Sequence, residues 1–401
     1  MTQKLDLAHV YTMDDLKKLQ QAGASAEELR QGHQMMSKNN QRRERATKEL
    51  IDLGENVSID KVKDLLEQGA DVNAKNKWDE TVLMKACAKG HADVARLLIK
   101  RGADVNAKNK WDETALMYVC EKGYTDLARL LLEKGADIEA KDKLGRTALI
   151  KACCGGYTNT ARLLIEKGAN VNAANEDGST VLMYACEKGY TDIARLLLEK
   201  GANIEVKDKL GRTALMKACW VGYINTARLL IGKGADVNAA NEDGSTVLMY
   251  ACEGSHTDIV RLLIEKGADV NATDEDGSTA LIKACRYDRT DTARVLIEKG
   301  ADVNAKNING STALIEACRY DRTDTVRLLL EKGANVYKRH AIHAIKGKRS
   351  AKAQEIRQVD SDTKGKPVDH SLRRALYGGK QKGQNAPLNP TVAHRMHDKT
   401  K

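Results

Sequence analysis

The strongest constraint on this chain is a repeat of fixed length. The segment from Thr180 to Asn203, TVLMYACEKGYTDIARLLLEKGAN, returns in near-copies along most of the molecule, and its closing Gly-Ala-Asp/Asn occurs nine times, from Gly69 to Gly333. Every step is 33 residues, without one insertion or deletion. A period between about 20 and 50 residues marks an array of small units, none of which buries its apolar face alone, so that each stacks on its neighbours.

One unit read physically gives two helices and a loop. A turn, Asn175 to Ser179, leads to Thr180 as a helix N-cap and to a short helix whose apolar residues are Val181, Leu182, Ala185 and Cys186. Small Ala and Cys let a second helix approach closely. Gly189 is placed for the left-handed backbone that ends the first helix, and Thr191-Asp192 offers a cap and a negative charge at the start of the second. Ile193, Leu196, Leu197 and Leu198 form its apolar stripe, and Gly201 stops it. Ala202 to Gly211 is too polar and turn-rich for a helix and reads as an extended loop or β-hairpin. The fold class is therefore all-α: helix-turn-helix units joined by hairpin-like loops.

These residues carry a resemblance. Thr-x-Leu-x-x-Ala-Cys, Gly-Tyr/His-x-Asp and Arg-Leu-Leu-Leu/Ile-Glu-Lys-Gly-Ala-Asp/Asn-Val-Asn-Ala, in that order and at that length from roughly Lys48 to Val336, are similar to the ankyrin repeat pattern. Two departures recur. Ala or Val replaces the family's proline after the threonine (Val82, Ala115, Ala148, Val181), and Met or Ile replaces its His (Met84, Met117, Ile150, Met183), which removes a hydrogen-bonding side chain between repeats. The resemblance implies an α-solenoid that binds a partner protein through its loop tips and the exposed side of its first helices. It also implies that loop asparagines such as Asn106, Asn172, Asn238, Asn271 and Asn304 match a position that hydroxylases modify in ankyrin repeats.

The pattern divides the chain into a helical leader over 1–40, the repeat domain over 41–337 and a basic tail over 338–401. Within the repeat domain, 41–77 is a degenerate capping repeat and 78–337 the regular ones. The leader reads as two short helices broken at Gly23 and has no apolar core of signal-peptide length. No segment has the ~18 to 20 apolar residues of a membrane span. Asp142 to Ile165 is nearly reproduced at Asp208 to Ile231, a shift of 66 residues, so a two-repeat block has been duplicated. A chain that lengthens by whole units is behaving as a scaffold, since a catalytic constellation does not survive such sliding of its parts.

Charge and cysteine usage sharpen this. The net charge of +10 belongs to the tail, where 16 Lys and Arg face 5 Asp and Glu, leaving residues 1–337 at −1. The tail reads as a short capping helix, Tyr337 to Arg357, then a disordered stretch from Asp360. Its basic residues Lys338, Arg339, Lys346, Lys348 and Arg349 carry the alternative reading, nucleic-acid or anionic-surface binding, against an ordinary solvated tail. Eight of nine cysteines are one position repeated from Cys87 to Cys318, with Cys154 the extra. Equivalent positions on packed helices lie about 8 to 10 Å apart, beyond the roughly 4.4 to 6.8 Å between the Cα atoms of a disulfide. They are expected to be free packing thiols in a reducing, cytoplasmic compartment. No zinc spacing, Walker loop, nucleophile elbow or His-Glu-x-x-His is present, so no metal, cofactor or enzymatic activity is expected.

A monomer that binds another protein is thus the expectation, with delivery into a host cell by a microbe or virus as a variant. At the loop tips the candidates are Lys77, Trp78, Lys110, Trp111, Leu144 and Leu210. On the first helix, Tyr118, Tyr184 and Tyr250 alternate with Lys85, Lys151, Lys217 and Lys283, the tyrosines being either binding anchors or inter-repeat packing and the lysines solvated. Near the C-terminal end, Arg286, Tyr287, Arg319 and Tyr320 complete the set. Tyr124, Tyr157, Tyr190 and Tyr223 fill the slot after the helix-ending glycine and read as structural. The last three repeats replace that glycine by Ser255, Asp288 and Asp321, which predicts a less stable end.

Overall fold

The structure is a computed structural model that describes residues 12–53 and 58–335. It falls into two units, Met1–Asp269 and Val270–Lys401.

The first unit opens with α1 (Met13–Gln21) and α2 (Ala26–Ile51). Both are capped by a hydroxyl: Thr12 accepts from the Asp15 N–H and Ser25 from the Glu28 N–H, each at 3.2 Å. Leu16 and Leu19 of α1 are buried with Leu29 and Met36 of α2, and Leu16 lies over Gly32, which leaves it room. The leader's second helix and the first helix of the capping repeat prove to be one 26-residue element that runs through residue 40. Nothing between Ala26 and Ile51 breaks a helix, and Ala46 and Leu50 anchor its far end in the core against α3 (Ile59–Glu67).

Six helix pairs follow: α4 (Val82–Lys89) and α5 (Ala92–Lys100), α6 (Ala115–Lys122) and α7 (Thr125–Glu133), α8 (Ala148–Cys154) and α9 (Thr158–Glu166), α10 (Val181–Glu187) and α11 (Thr191–Glu199), α12 (Ala214–Val221) and α13 (Ile224–Gly232), α14 (Val247–Gly254) and α15 (Thr257–Glu265). Each first helix from α4 to α12 packs on the next first helix, and the second helices form their own row from α7 to α15. The second unit has the same arrangement in α16 (Ala280–Arg286), α17 (Thr290–Glu298), α18 (Ala313–Arg319) and α19 (Thr323–Glu331), with α16 on α18 and α17 on α19.

The repeat's letters explain its shape. In every regular repeat a threonine, Thr81 through Thr312, caps the first helix by accepting the N–H three residues on, at 3.3 to 3.4 Å. Where the family's His would stand, Met84 and Met183 offer Sδ to the Thr81 and Thr180 N–H at 3.5 and 3.4 Å, so a sulfur takes over part of the capping. Val181, Leu182, Met183, Ala185 and Cys186 are buried on α10, and Ile193, Ala194, Leu196 and Leu197 on α11, while Leu198 stays partly exposed. Each fully buried Leu or Ile contributes about 1.5 to 3 kcal/mol.

Two local expectations change, and one gains its geometry. Thr191 does not cap α11: Tyr190 occupies the cap without a side-chain bond, and the Thr191 hydroxyl instead meets the Thr226 hydroxyl of the next repeat at 2.8 Å. The hairpin-like loops are reduced, among the described residues, to isolated antiparallel bridges such as Lys75 with Thr81 and Ala174 with Thr180. The aromatic row after the glycine has a definite seat. Gly123 has φ 74°, and a Cβ built there would lie 2.2 Å from the Tyr157 ring; Gly156 stands in the same relation to Tyr190. Each ring lies flat against a glycine of the preceding repeat.

Candidate partner-binding surface

The loop tips are built on an Asx turn. Asn76 Oδ1 accepts the Trp78 and Glu80 N–H groups at 2.8 and 3.0 Å, and Asn109, Asp142, Asn175, Asp208 and Asn241 repeat the device along the first unit. Successive tips are tied together by backbone bonds: the Lys110 N–H donates to the Trp78 carbonyl at 3.0 Å, Lys143 to Trp111 at 2.9 Å and Glu176 to Leu144 at 3.0 Å. On this ladder of tips sit the predicted anchors. Trp78 and Trp111 are 45% and 46% exposed and stack on each other, centroids 5.7 Å apart with 26° between their planes, and the Lys77 ammonium lies 5.1 Å from the Trp78 ring centre. Leu144 and Leu210 are exposed as well. Asp79 and Asp112, next to the tryptophans, hold the left-handed backbone that Gly145 and Gly178 hold in the following tips.

The first-helix row differs from its sequence reading. Its lysines are partnered rather than solvated. Lys151 is buried, and its ammonium meets Glu113 at 2.8 Å, Glu121 at 3.4 Å and Asp142 at 3.5 Å; Lys217 meets Asp208 at 3.2 Å and Glu187 at 3.5 Å. The tyrosines are half-buried with engaged hydroxyls. Asn109 donates to Tyr118 at 3.0 Å, Asn175 to Tyr184 at 2.9 Å and Asn241 to Tyr250 at 3.1 Å; Tyr118 in turn donates to Glu80 at 3.4 Å, and the Tyr250 ring meets Trp220 edge-on.

A rule connects these contacts. The turn's Asx is Asp when the residue nine positions later is Lys151 or Lys217, and Asn when it is Tyr118, Tyr184 or Tyr250. One side-chain oxygen holds the turn, and the remaining atom is matched to the helix residue as carboxylate to ammonium or amide to phenol. Sequence reasoning missed this pairing, although the signal was present as a covariation at a spacing of nine residues.

Electrostatics follow from it. Burial alone would raise the Glu113 carboxyl, but the Lys151 ammonium, joined by hydrogen bonds from Asn109 and Tyr118, holds it below its usual range. Asp208 is also lowered: burial pushes upward, and the Arg212 hydrogen bonds together with Lys217 prevail. Burial pushes the Tyr184 and Tyr250 hydroxyls up to about 12, so both are neutral at physiological pH.

In the second unit Lys283 meets Asp274 at 2.9 Å, keeping the rule. Glu316 then occupies the ladder position, with Asn307 in its turn. It is fully buried and held by Arg286 at 3.1 Å and Arg319 at 2.6 Å, so these two candidates are engaged within the fold. Tyr287 and Tyr320 terminate α16 and α18, and Tyr320 is 42% exposed. Lys338, Arg339, Lys346, Lys348 and Arg349 lie outside the described residues.

The cysteines are packing residues. All nine are free thiols, seven of them buried, and burial pushes Cys87 up to about 12 and the extra, partly exposed Cys154 to about 11. The loop asparagines Asn106, Asn172, Asn238 and Asn271 are tied at both ends of the amide, and Asn304 accepts the Asn335 N–H. Asn106 donates to the Gly135 carbonyl at 2.9 Å and accepts the Asp137 N–H at 2.7 Å, stapling one repeat to the next. No helix among the described residues is long and apolar enough to cross a membrane.

A comparison with curated proteins gave no match. The family profile described as ankyrin repeats in three copies matches residues 50–142, 138–208, 173–241, 202–274 and 269–340. Capped helix pairs at a strict period, glycine-seated rings and tied loop tips therefore coincide with a family match over most of the chain, and the protein belongs to the ankyrin repeat family.

Proposed function

We propose that this protein is a non-enzymatic scaffold that binds a partner protein through its loop tips and the exposed edge of its first helices. Ankyrin repeats are in general protein–protein interaction modules, which supports the class of function. The observation that carries the reading is the exposed Trp78–Trp111 stack: two large rings stand at loop tips, where folding gives no reason to keep them in water. Tryptophan is a residue on which binding energy concentrates. Leu144 and Leu210 extend the apolar contacts along the tips, whereas Tyr118, Tyr184, Tyr250, Arg286 and Arg319 serve the fold first and offer only their exposed edges.

Affinity capture from the native cell, with the full chain beside a Trp78→Ala/Trp111→Ala variant, tests this. Partners that bind the native chain should be lost from the variant while its thermal transition stays within a few degrees. Equal recovery of the same partners by both removes the tryptophan tips from the reading. Deleting 338–401 and repeating the capture across a salt series separates the tail: partners that vanish with the tail and with rising salt belong to a basic-tail interaction instead.

A further inference from the structure

At the N-terminal end of the first unit an open cleft of about 910 Å3 lies between α2, the first loop tip and α4. Arg43, Lys48, Lys77 and Lys85 line it against Glu44 and Asp52, four positive charges to two negative, and the Trp78 ring forms part of its wall.

The ladder adds an independent observation about Lys85. The other first-unit ladder lysines each meet the aspartate nine residues earlier, Lys151 with Asp142 and Lys217 with Asp208. Lys85 has Asn76 at that position, and its ammonium donates to the Ile51 carbonyl at 2.5 Å. Among the described residues no carboxylate comes within ion-pair distance of it. It is half-buried, so its charge is partly desolvated with no matching anion among the described residues. The pairing rule is broken at a ladder lysine that faces an open cleft.

We propose that this cleft takes an acidic peptide segment of a partner protein, one carboxylate set against Lys85 and an apolar side chain laid on the exposed Trp78–Trp111 stack. The inference rests on the reading of the array as a protein-binding scaffold and names the chemistry of its partner. Charge complementarity selects an acidic occupant. Glu44 and Asp52 in the same wall favour a peptide, which places its carboxylates singly, over a nucleic acid, whose phosphates follow one another at every nucleotide.

The test uses the full chain and three probes: a short fluorescein-labelled peptide of Glu, Asp and Leu, its counterpart with Gln and Asn for Glu and Asp, and a single-stranded oligothymidylate of similar length. The acidic peptide should bind and quench tryptophan fluorescence, with the neutral counterpart weaker by about tenfold or more. Lys85→Gln should remove about tenfold from the acidic peptide's affinity. The double variant Asn76→Asp/Glu80→Ser, which copies Asp274 and Ser278, gives Lys85 its own carboxylate; it should abolish the preference for the acidic peptide while melting no lower than the native chain.

An acidic preference that survives in both variants overturns the proposal, as does an oligothymidylate that competes at equal concentration. Failure of the cleft is distinguishable from failure of the scaffold reading. A captured partner that crosslinks to the Leu144 or Leu210 tips, with no acidic peptide in the cleft, ends this inference and leaves the other standing.

Discussion

The two units close the same turn with different chemistry. In the first, from α4 to α12, the backbone at the end of a first helix turns left-handed on a glycine, and a ring from the next repeat lies flat on it, as Tyr157 lies on Gly123 and Tyr223 on Gly189, while α14 turns on Ser255 with φ 69°. In the second, the turn residues are Asp288 and Asp321, with φ 61° and 57°. The slot of the ring belongs to arginine, so that Arg322 faces Asp288 at 3.7 Å and the Thr325 hydroxyl donates to it at 3.3 Å. Substitution of the glycine and of the ring goes together: a Cβ leaves no room for a flat aromatic, and a carboxylate in its place attracts a cation. The backbone is kept while a dry, packed joint becomes a hydrated, polar one. An exposed ion pair contributes roughly 0 to 1 kcal/mol, and a non-glycine residue in left-handed backbone costs roughly 1 to 2 kcal/mol, least for Asp and Asn. The second unit is therefore expected to show the weaker joints.

The largest effect that tests this comparison is at Gly123. Alanine there adds a Cβ at 2.2 Å from the Tyr157 ring while φ remains 74°. Backbone strain and a displaced ring should together destabilise by about 3 kcal/mol, read as an earlier urea transition and as lost amide protection in α6 and α7. In the second unit Asp288→Gly relieves strain but frees Arg322, and the change should stay within about 1 kcal/mol. Native-state hydrogen exchange should likewise find α16 to α19 opening more readily than α6 to α13. Equal protection throughout, or equal cost of the two substitutions, breaks the distinction between the joints.

A smaller effect extends the comparison to the ladder. Lys151→Gln leaves Asp142 and Glu113 in a buried site without their ammonium and should cost about 2 to 3 kcal/mol, toward the low end for a broken buried pair because Arg146 still meets Asp142. Asp142→Asn/Lys151→Tyr, which copies Asn175 and Tyr184, should recover most of that loss, because amide and phenol satisfy each other as ammonium and carboxylate did. Lys283→Gln in the second unit likewise leaves Asp274 buried without its ammonium, with Ser278 where Arg146 stands in the first, and should cost a comparable amount, about 2 to 3 kcal/mol. Thermal melts of the four chains decide it, and a double variant no better than Lys151→Gln would show that turn and helix residue are not matched as a pair.

Much of this architecture was legible in the letters because each of its causes is local. The 33-residue register, the threonine caps and the glycines at helix ends each act within one turn of helix, so their spacing maps directly onto structure. The exposed Trp78 and Trp111 were legible for the same reason, since a large ring in a polar turn has little to pack against. What was not legible acts across a turn or between repeats. Lys151 looked like a solvated surface lysine because its partner Asp142 lies nine residues back, a spacing that belongs to neither a helix nor a strand. Thr191 looked like a cap because only the neighbouring repeat supplies Thr226. The length of α2 was hidden by its polar composition, which gives an apolar-periodicity argument nothing to count between Lys38 and Arg45.

The smallest effect is one of acidity, and its sign follows from the same ladder. Glu113 and Asp208 in the first unit titrate below their ordinary values of 4.5 and 3.8. A carboxyl lowered on folding contributes stability that is fully present above its unfolded-state value and disappears as pH falls through the folded one. Urea midpoints of the native chain should thus be flat from pH 7 to about 5 and decline below about pH 4, as the first unit's rungs protonate. In Lys151→Gln the ammonium that does most to offset burial at Glu113 is gone, so that carboxyl rises and the stability it contributes near neutral pH shrinks. The gap between native and variant midpoints should be widest near neutral pH and narrow toward pH 3. A gap that does not change with pH would mean that Lys151 acts by filling space and not by its charge.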